Sequence, residues 1–298
     1  MKILIVSGFL GAGKTTFIKH VVKTTGKEFA ILENEYGDIG VDGDILSKET
    51  EAGKLNIWEV TEGCICCSMK GDFAASVLTI ANSVDPEYLL IEPTGVGFLS
   101  KIIENLKQIE YERISILNPI TIVDGLSFNR YIIEYPILYK DQLQSAGIVF
   151  VSNMENSSEA EKEWLLSKLK KLNPNGKVVI EHYTSMSVGE FSTMLNTGYD
   201  GRDYESLKEM DKMPENLSLE DVVINDLESL IILLENVIRG KYGNIIRAKG
   251  VIASGAHQYR FDVADGKYII SEELEDIKAK AVFIGDNIKR HKLRKRLF

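Results

Sequence analysis

Apolar and polar positions along the chain switch between two periods, and the switches mark its elements. Lys2 to Ser7, KILIVS, is a short apolar, β-branched run that ends at glycines. KTTFIKHVVK, just beyond, repeats its apolar positions at helical spacing, so strand, loop and helix are expected in that order. FAILEN at 29–34 and LNIWEV at 55–60 read as strands, DFAASVLTIANSV as a helix and YLLIEP at 88–93 as a strand. Further strands are predicted over 120–123, 147–152 and 176–182, with amphipathic helices between them. Strands alternating with helices imply parallel pairing through right-handed crossovers. The expectation is a layered α/β domain with a mainly parallel sheet over residues 1–185.

The pattern then changes. Residues 186–217 are poorer in periodic signal and richer in Gly, Ser, Asp and Met, which predicts a linker. Beyond it come a strand DVVIND, a helix over 226–239, strands NIIRAKGVIA, HQYRFDVA, KYIISEE and KAVFIGD, and a terminal helix. Strands without intervening helices predict a small α+β domain with an antiparallel sheet over 218–298. Arg247 and Lys249 are charges inside an otherwise strand-like run, which fits ion pairing on a sheet face. Trp58 and Trp164 fit strand and helix packing.

The 298 residues are 44% hydrophobic and 27% charged with 6 prolines, the composition of a folded globular chain. A formal net charge of -9 argues against broad nucleic-acid binding, which rests on phosphate neutralisation. The basic end KRHKLRKRLF reads as a solvated last helix with cations near its C-terminus. No apolar run approaches the roughly 18 to 20 residues that cross a bilayer. The opening MKILIVSG shows no leader pattern, so a cytosolic setting is expected.

Candidate chemistry sits at two places. GFLGAGKT, Gly8 to Thr15, satisfies G-x-x-x-x-G-K-[ST] after a strand and at the start of a helix. Its glycines allow backbone N–H groups to turn around phosphate oxygens, and the helix N-terminus adds partial positive charge. Lys14 would reach the β- and γ-phosphates, and Thr15 would offer its hydroxyl to Mg²⁺. YLLIEPTG adds Glu92 where a Walker-B carboxylate would stand, and Gly95 is placed to donate its N–H to a γ-phosphate.

The second place is TEGCICCS, which holds all 3 cysteines of the chain as Cys64, Cys66 and Cys67. Thiols packed this closely cannot form a framework of structural disulfides. Three thiolates can hold one tetrahedral ion and leave a fourth position for exchange, a donor set that suits Zn²⁺ and Co²⁺ almost equally. His20, His182, His257 and His291 have no ligand spacing among themselves and read as ordinary polar side chains.

GFLGAGKTT, ENEYGDIGVD, EGCICC, LLIEPTG and the later RAKG resemble, in order, the landmarks of the CobW-type family of P-loop GTPases, which act in metal delivery. The resemblance spans both halves of the chain. It implies a Mg²⁺-dependent GTPase that holds a transition metal, Zn²⁺ or Co²⁺, on Cys64, Cys66 and Cys67, with hydrolysis switching metal affinity. Carried over by motif, Lys14, Thr15 and Glu92 form the catalytic set. Gly8, Gly11, Ala12, Gly13, Thr16 and Gly95 cradle the phosphates, while Glu33 and Asp38 match places where relatives can bind metal. The implied partners are a client metalloprotein or a cobaltochelatase, with a homodimer among the assemblies it allows.

Two features depart from that pattern. The base-reading form N-K-x-D is replaced by Ser152-Asn153-Met154-Glu155, so Asn153 stands where a lysine would stack on the base. Glu155 keeps a carboxylate for guanine on a longer stem. With only 4 His in the chain, a histidine-rich storage tract is absent. Two other classes fit parts of the sequence: a P-loop kinase with a structural zinc site, and a redox-responsive nucleotide switch built on the vicinal thiols.

Overall fold

In the computed structural model, which describes residues 1–33, 55–59, 70–200 and 214–298, the first half of the alternation closes into one sheet. Its strands are β1 Lys2–Gly8, β2 Phe29–Glu33, β3 Leu55–Glu59, β4 Tyr88–Glu92, β5 Ser115–Ile116, β6 Ile120–Asp124, β7 Ile148–Ser152 and β8 Lys177–Val179. They lie in the order β3-β2-β4-β1-β6-β7-β8, with β5 paired to β1, and their pairings are parallel. Helices cover both faces of such a sheet, so its inner strands are nearly continuous apolar runs. Ile3, Leu4, Ile5 and Val6 of β1 are fully buried accordingly.

The helix Lys14–Thr25 lays Phe17, Ile18 and Val21 on this sheet. Phe17 meets Phe150 at 5.1 Å and stands edge-on to Tyr183 at 5.0 Å between ring centroids. Because this helix follows β1 directly, its packing also sets the position of the loop that joins them.

Residues 186–200 differ from the expected linker. A helix, Val188–Met194, occupies part of the stretch and buries Phe191, Met194 and Leu195 in the same core as Phe17. Its start is a reciprocal cap. Glu190 donates its N–H to the Ser187 hydroxyl at 3.3 Å, and Ser187 donates its own N–H to the Glu190 carboxylate at 2.8 Å. Seven residues hold too few apolar positions to register as periodic, which is why composition alone suggested a loose connection.

The second unit forms an antiparallel sheet of β9 Glu215–Glu220, β10 Asn244–Ser254, β11 His257–Ala264, β12 Lys267–Glu273 and β13 Lys280–Asp286, in the order β12-β11-β10-β13-β9. The first strand is ENLSLE, which starts within the stretch read as linker and runs three residues past its end, and not DVVIND. Asp221 sits at φ 53 and ends β9, after which Val222 and Ile224 turn into the core, with Ile224 N–H bonded to the Ala253 carbonyl. Their alternation mimics a strand, but the ladder belongs to the residues before them.

Helices Leu227–Ile238 and Arg290–Leu297 contribute Leu230, Leu233, Leu234, Leu293 and Leu297 to the core of this unit. Asp226 caps the first by accepting the Ser229 N–H at 2.7 Å. Arg247 donates to Asp262 across the β10–β11 ladder at 2.6 Å, the expected ion pair on a sheet face.

Candidate nucleotide site

β1 ends at Gly8 and the next helix begins at Lys14, so the phosphate loop spans the gap between a buried strand and a buried helix. Gly13 caps that helix at φ 95 with open space where a Cβ would stand. A left-handed backbone favours glycine there. No acidic residue occupies the first turn, which keeps the helix N-terminus positive.

Lys14 is only 8% exposed. Its ammonium lies over the loop and donates to the carbonyls of Gly8 at 3.1 Å and Phe9 at 3.4 Å. Thr15 donates its hydroxyl to the Glu92 carboxylate, 2.9 Å from one oxygen and 3.1 Å from the other. The two residues are far apart in the chain. They meet because β4 pairs directly with β1, which brings the end of one strand beside the loop after the other.

Glu33 ends β2 in register with Glu92 on β4 and is 3% exposed, so it stands at the same sheet edge as the nucleotide loop. Asp38, Cys64, Cys66 and Cys67 lie outside the described residues. Among the described residues no three His, Cys, Asp or Glu side chains converge as a metal-holding group.

Gly95 packs against the phosphate loop. A Cβ at this position would come within 2.6 Å of the Leu10 nitrogen and 2.9 Å of its Cα, so the two backbones touch. The segment after it is held by the helix Pro136–Gln144. Gln142, 1% exposed, donates Nε2 to the carbonyls of Gly95 at 3.1 Å and Gly97 at 2.9 Å. Its neighbour Asp141 accepts the N–H of Ser100, at the start of the helix Leu99–Lys107, at 3.2 Å.

Burial pushes the Asp141 carboxyl above its ordinary range, with hydrogen bonds from Ser100 and Leu99 pulling the other way. The folded protein therefore keeps this proton where the unfolded chain has lost it. Stability falls as pH rises from the usual carboxylate range through the raised folded value. Asp141→Asn retains an acceptor for Ser100 and cannot ionise, so melting temperature against pH should be flatter for the variant above about pH 4. Parallel curves would show that Asp141 ionises in the folded state without cost.

The base-reading stretch alternates inward and outward. Ser152 and Met154 are buried, whereas Asn153, at φ 60, and Glu155 are exposed. Ser152 donates its hydroxyl to the Ala12 carbonyl at 2.9 Å and lies 3.3 Å from that of Val123, tying β7 to the phosphate loop. His182 lies 3.3 Å from Glu155 through Nε2, while its Nδ1 lies 2.8 Å from the Thr184 hydroxyl. Met154, Glu155, Lys162, Ile180, Glu181 and His182 line a cavity of about 200 Å³ beside this stretch. His182 and Gln142 carry no motif that marks them in the sequence, and Ser152 is marked only as a departure from N-K-x-D.

With a loop built for phosphate and a hydroxyl–carboxylate pair beside it, the family assignment follows from the match. The family model of the CobW/HypB/UreG nucleotide-binding domain covers residues 2–180. The chain belongs to this family. The cobalamin synthesis protein cobW C-terminal domain matches residues 222–298, so both units are those of a CobW-type protein.

Among its relatives, zinc chaperone YeiR of Escherichia coli strain K12 is 32% identical over 173 residues, covering 55% of this chain and 49% of that protein. Zinc chaperone CobW of a Sinorhizobium species is 34% identical over 127 residues, 41% of this chain and 36% of that one. The chain thus matches about half or less of the length of these curated relatives. The crystal structure of Zn(II)-bound YjiA GTPase from E. coli aligns over 99% of this chain and 97% of that one, at 17% identity and a TM-score of 0.48. Among the described residues of this CobW-family chain, no helix is long and apolar enough to cross a membrane.

Proposed function

We propose that the chain is a GTP-hydrolysing metallochaperone, which binds a transition metal at Cys64, Cys66 and Cys67 and passes it to a client. The observation that carries the nucleotide half is the Thr15 hydroxyl on the Glu92 carboxylate, within the loop that also holds Lys14. Both are hard oxygen donors, a set that suits Mg²⁺ better than a soft metal. Bound Mg²⁺ would be held by Thr15, with Glu92 at its water shell, and would neutralise charge on the phosphates.

Within that site the loop N–H groups and Lys14 hold the β- and γ-phosphates, and the Gly95 N–H faces the third phosphate. Water attacks the γ-phosphorus, its bond to the bridging oxygen breaks, and GDP and inorganic phosphate leave. Glu155 accepts hydrogens from the guanine edge while His182 steadies its carboxylate. Because Asn153 replaces the stacking lysine, guanine preference over adenine is modest.

The metal half rests on topology and on the thiols. Strands β2, β3 and β4 end at one edge, in register at Glu33, Glu59 and Glu92. In the sequence, Asp38 follows β2 and the cysteines follow β3. A third phosphate ordered at that edge would bias both. The relatives' names favour zinc as cargo, with cobalt the alternative; a client metalloprotein or cobaltochelatase receives it, and a homodimer is a compatible assembly.

Titration of Co²⁺ into reduced protein, followed by thiolate-to-Co²⁺ absorption with Mg²⁺ and a GTP analogue, GDP or an ATP analogue, tests the whole reading. One ion should bind at least tenfold more tightly in the GTP-analogue form, and the Cys64→Ser, Cys66→Ser, Cys67→Ser triple variant should lose it. Equal affinity with every nucleotide would make the thiols a structural or redox site.

A further inference from the structure

The sequence singles out Gly95 as a phosphate sensor but says nothing of what holds it in place. In the fold that task falls to one buried side chain. Both hydrogens of the Gln142 amide are committed, to the carbonyls of Gly95 and Gly97, so a single planar group spans the turn after β4. A hydrogen bond from Gly97 N–H to the Thr94 carbonyl at 2.9 Å closes that turn on its other side.

The anchor is itself fixed. The Gln142 carbonyl accepts the Thr121 hydroxyl at 2.7 Å, which ties its helix to β6, the strand paired with β1. Asp141, one residue earlier, takes the N–H of Ser100. One helix end therefore holds both sides of the segment 95–100, while Gly95 presses on Leu10 of the phosphate loop.

The remaining atom of the amide is informative. Gln142 Oε1 is buried and has no hydrogen-bond partner among the described residues. A buried amide would ordinarily find partners at both ends. Here the geometry commits the donor end, because flipping the amide would turn Oε1 onto two carbonyl oxygens.

We propose that Gln142 is the positioning residue of the triphosphate-sensing loop: it holds Gly95 against the phosphate loop, so that a nucleotide with a third phosphate is distinguished from a diphosphate. It touches no phosphate and acts through Gly95. The inference rests on the GTPase reading above and adds the element that makes the sensor rigid.

The test measures the affinities of fluorescent GDP and of a fluorescent non-hydrolysable GTP analogue, with Mg²⁺, for the full chain and for Gln142→Leu and Gln142→Met. Both variants keep volume and lose both hydrogen bonds. The analogue should bind about tenfold more weakly to each variant, with GDP affinity within about twofold, the loss of roughly one to two net hydrogen bonds. An unchanged ratio of the two affinities, or an equal fall in both, would overturn the proposal. Wild-type protein that fails to separate the analogue from GDP would overturn the switch reading itself, and this inference with it. Should neither variant fold, the side-chain amide resonance of Gln142 in wild-type protein decides. It should shift when the GTP analogue replaces GDP, and an unmoved resonance refutes the role.

Discussion

Replacing Lys14 with alanine should lower nucleotide hydrolysis by about a hundredfold to a thousandfold, the scale of removing one preorganised donor from a developing anion. The ammonium is buried over neutral carbonyls of its own loop, at 3.1 Å and 3.4 Å. Those carbonyls offset part of the cost of desolvating a cation, and an incoming phosphate adds a charge-assisted hydrogen bond. Truncation removes that attraction without touching the apolar core formed by Phe17, Ile18 and Val21. Phosphate release measured beside thermal unfolding separates the two effects. A variant that melts near the wild type but hydrolyses within threefold of it would show that the loop acts without its lysine.

Gly95→Ala should be nearly as damaging to hydrolysis, yet through shape alone. The added methyl would lie 2.6 Å from the Leu10 nitrogen and 2.9 Å from its Cα, both backbone atoms with no rotamer through which to yield. Either the sensor turn or the phosphate loop must move by several tenths of an ångström. Displacements approaching 1 Å near a reacting group cost about a hundredfold in rate. GDP has no third phosphate to meet Gly95, so its binding should fall far less than turnover of the triphosphate. If turnover and GDP affinity decline in parallel, the methyl has distorted the loop itself and Gly95 is no sensor.

The two substitutions mark different depths of legibility. Lys14 lies in a motif whose residues are neighbours in the chain, and its position after a strand and before a helix makes the phosphate reading strong. Gly95 is visible only as the glycine of E-x-x-G, and its pressure on Leu10 is a tertiary fact. The pairing of Thr15 with Glu92 lies between these cases. Each is legible alone, as the hydroxyl of the glycine-rich motif and as the acid at the end of a strand, and they meet because β1 and β4 pair.

The stretch that stands in for N-K-x-D is legible in outline, and the fold adds a contact that its letters do not show. The motif points to Asn153 and Glu155, the exposed members, whereas Ser152 is tied to the phosphate loop. A serine that replaces the asparagine of a motif looks like decay in a string of letters. In the fold its hydroxyl reaches the Ala12 carbonyl. The linker misreading has a related cause, since a short capped helix owes its place to Phe191 and Met194 meeting the sheet, and not to its own periodicity.

Alternation of periods, the glycine-rich loop and the clustered thiols are local in the chain, and local spacing alone determined the α/β first half and the glycine-rich loop and singled out the clustered thiols. Ser152 on Ala12 and Gln142 on Gly95 join residues 140 and 47 positions apart. No repeating pattern links such positions, because each contact exists only after the strands have paired and the helices have packed. The tertiary structure therefore decided how the turn at Gly95 is held and what braces the loop it packs against.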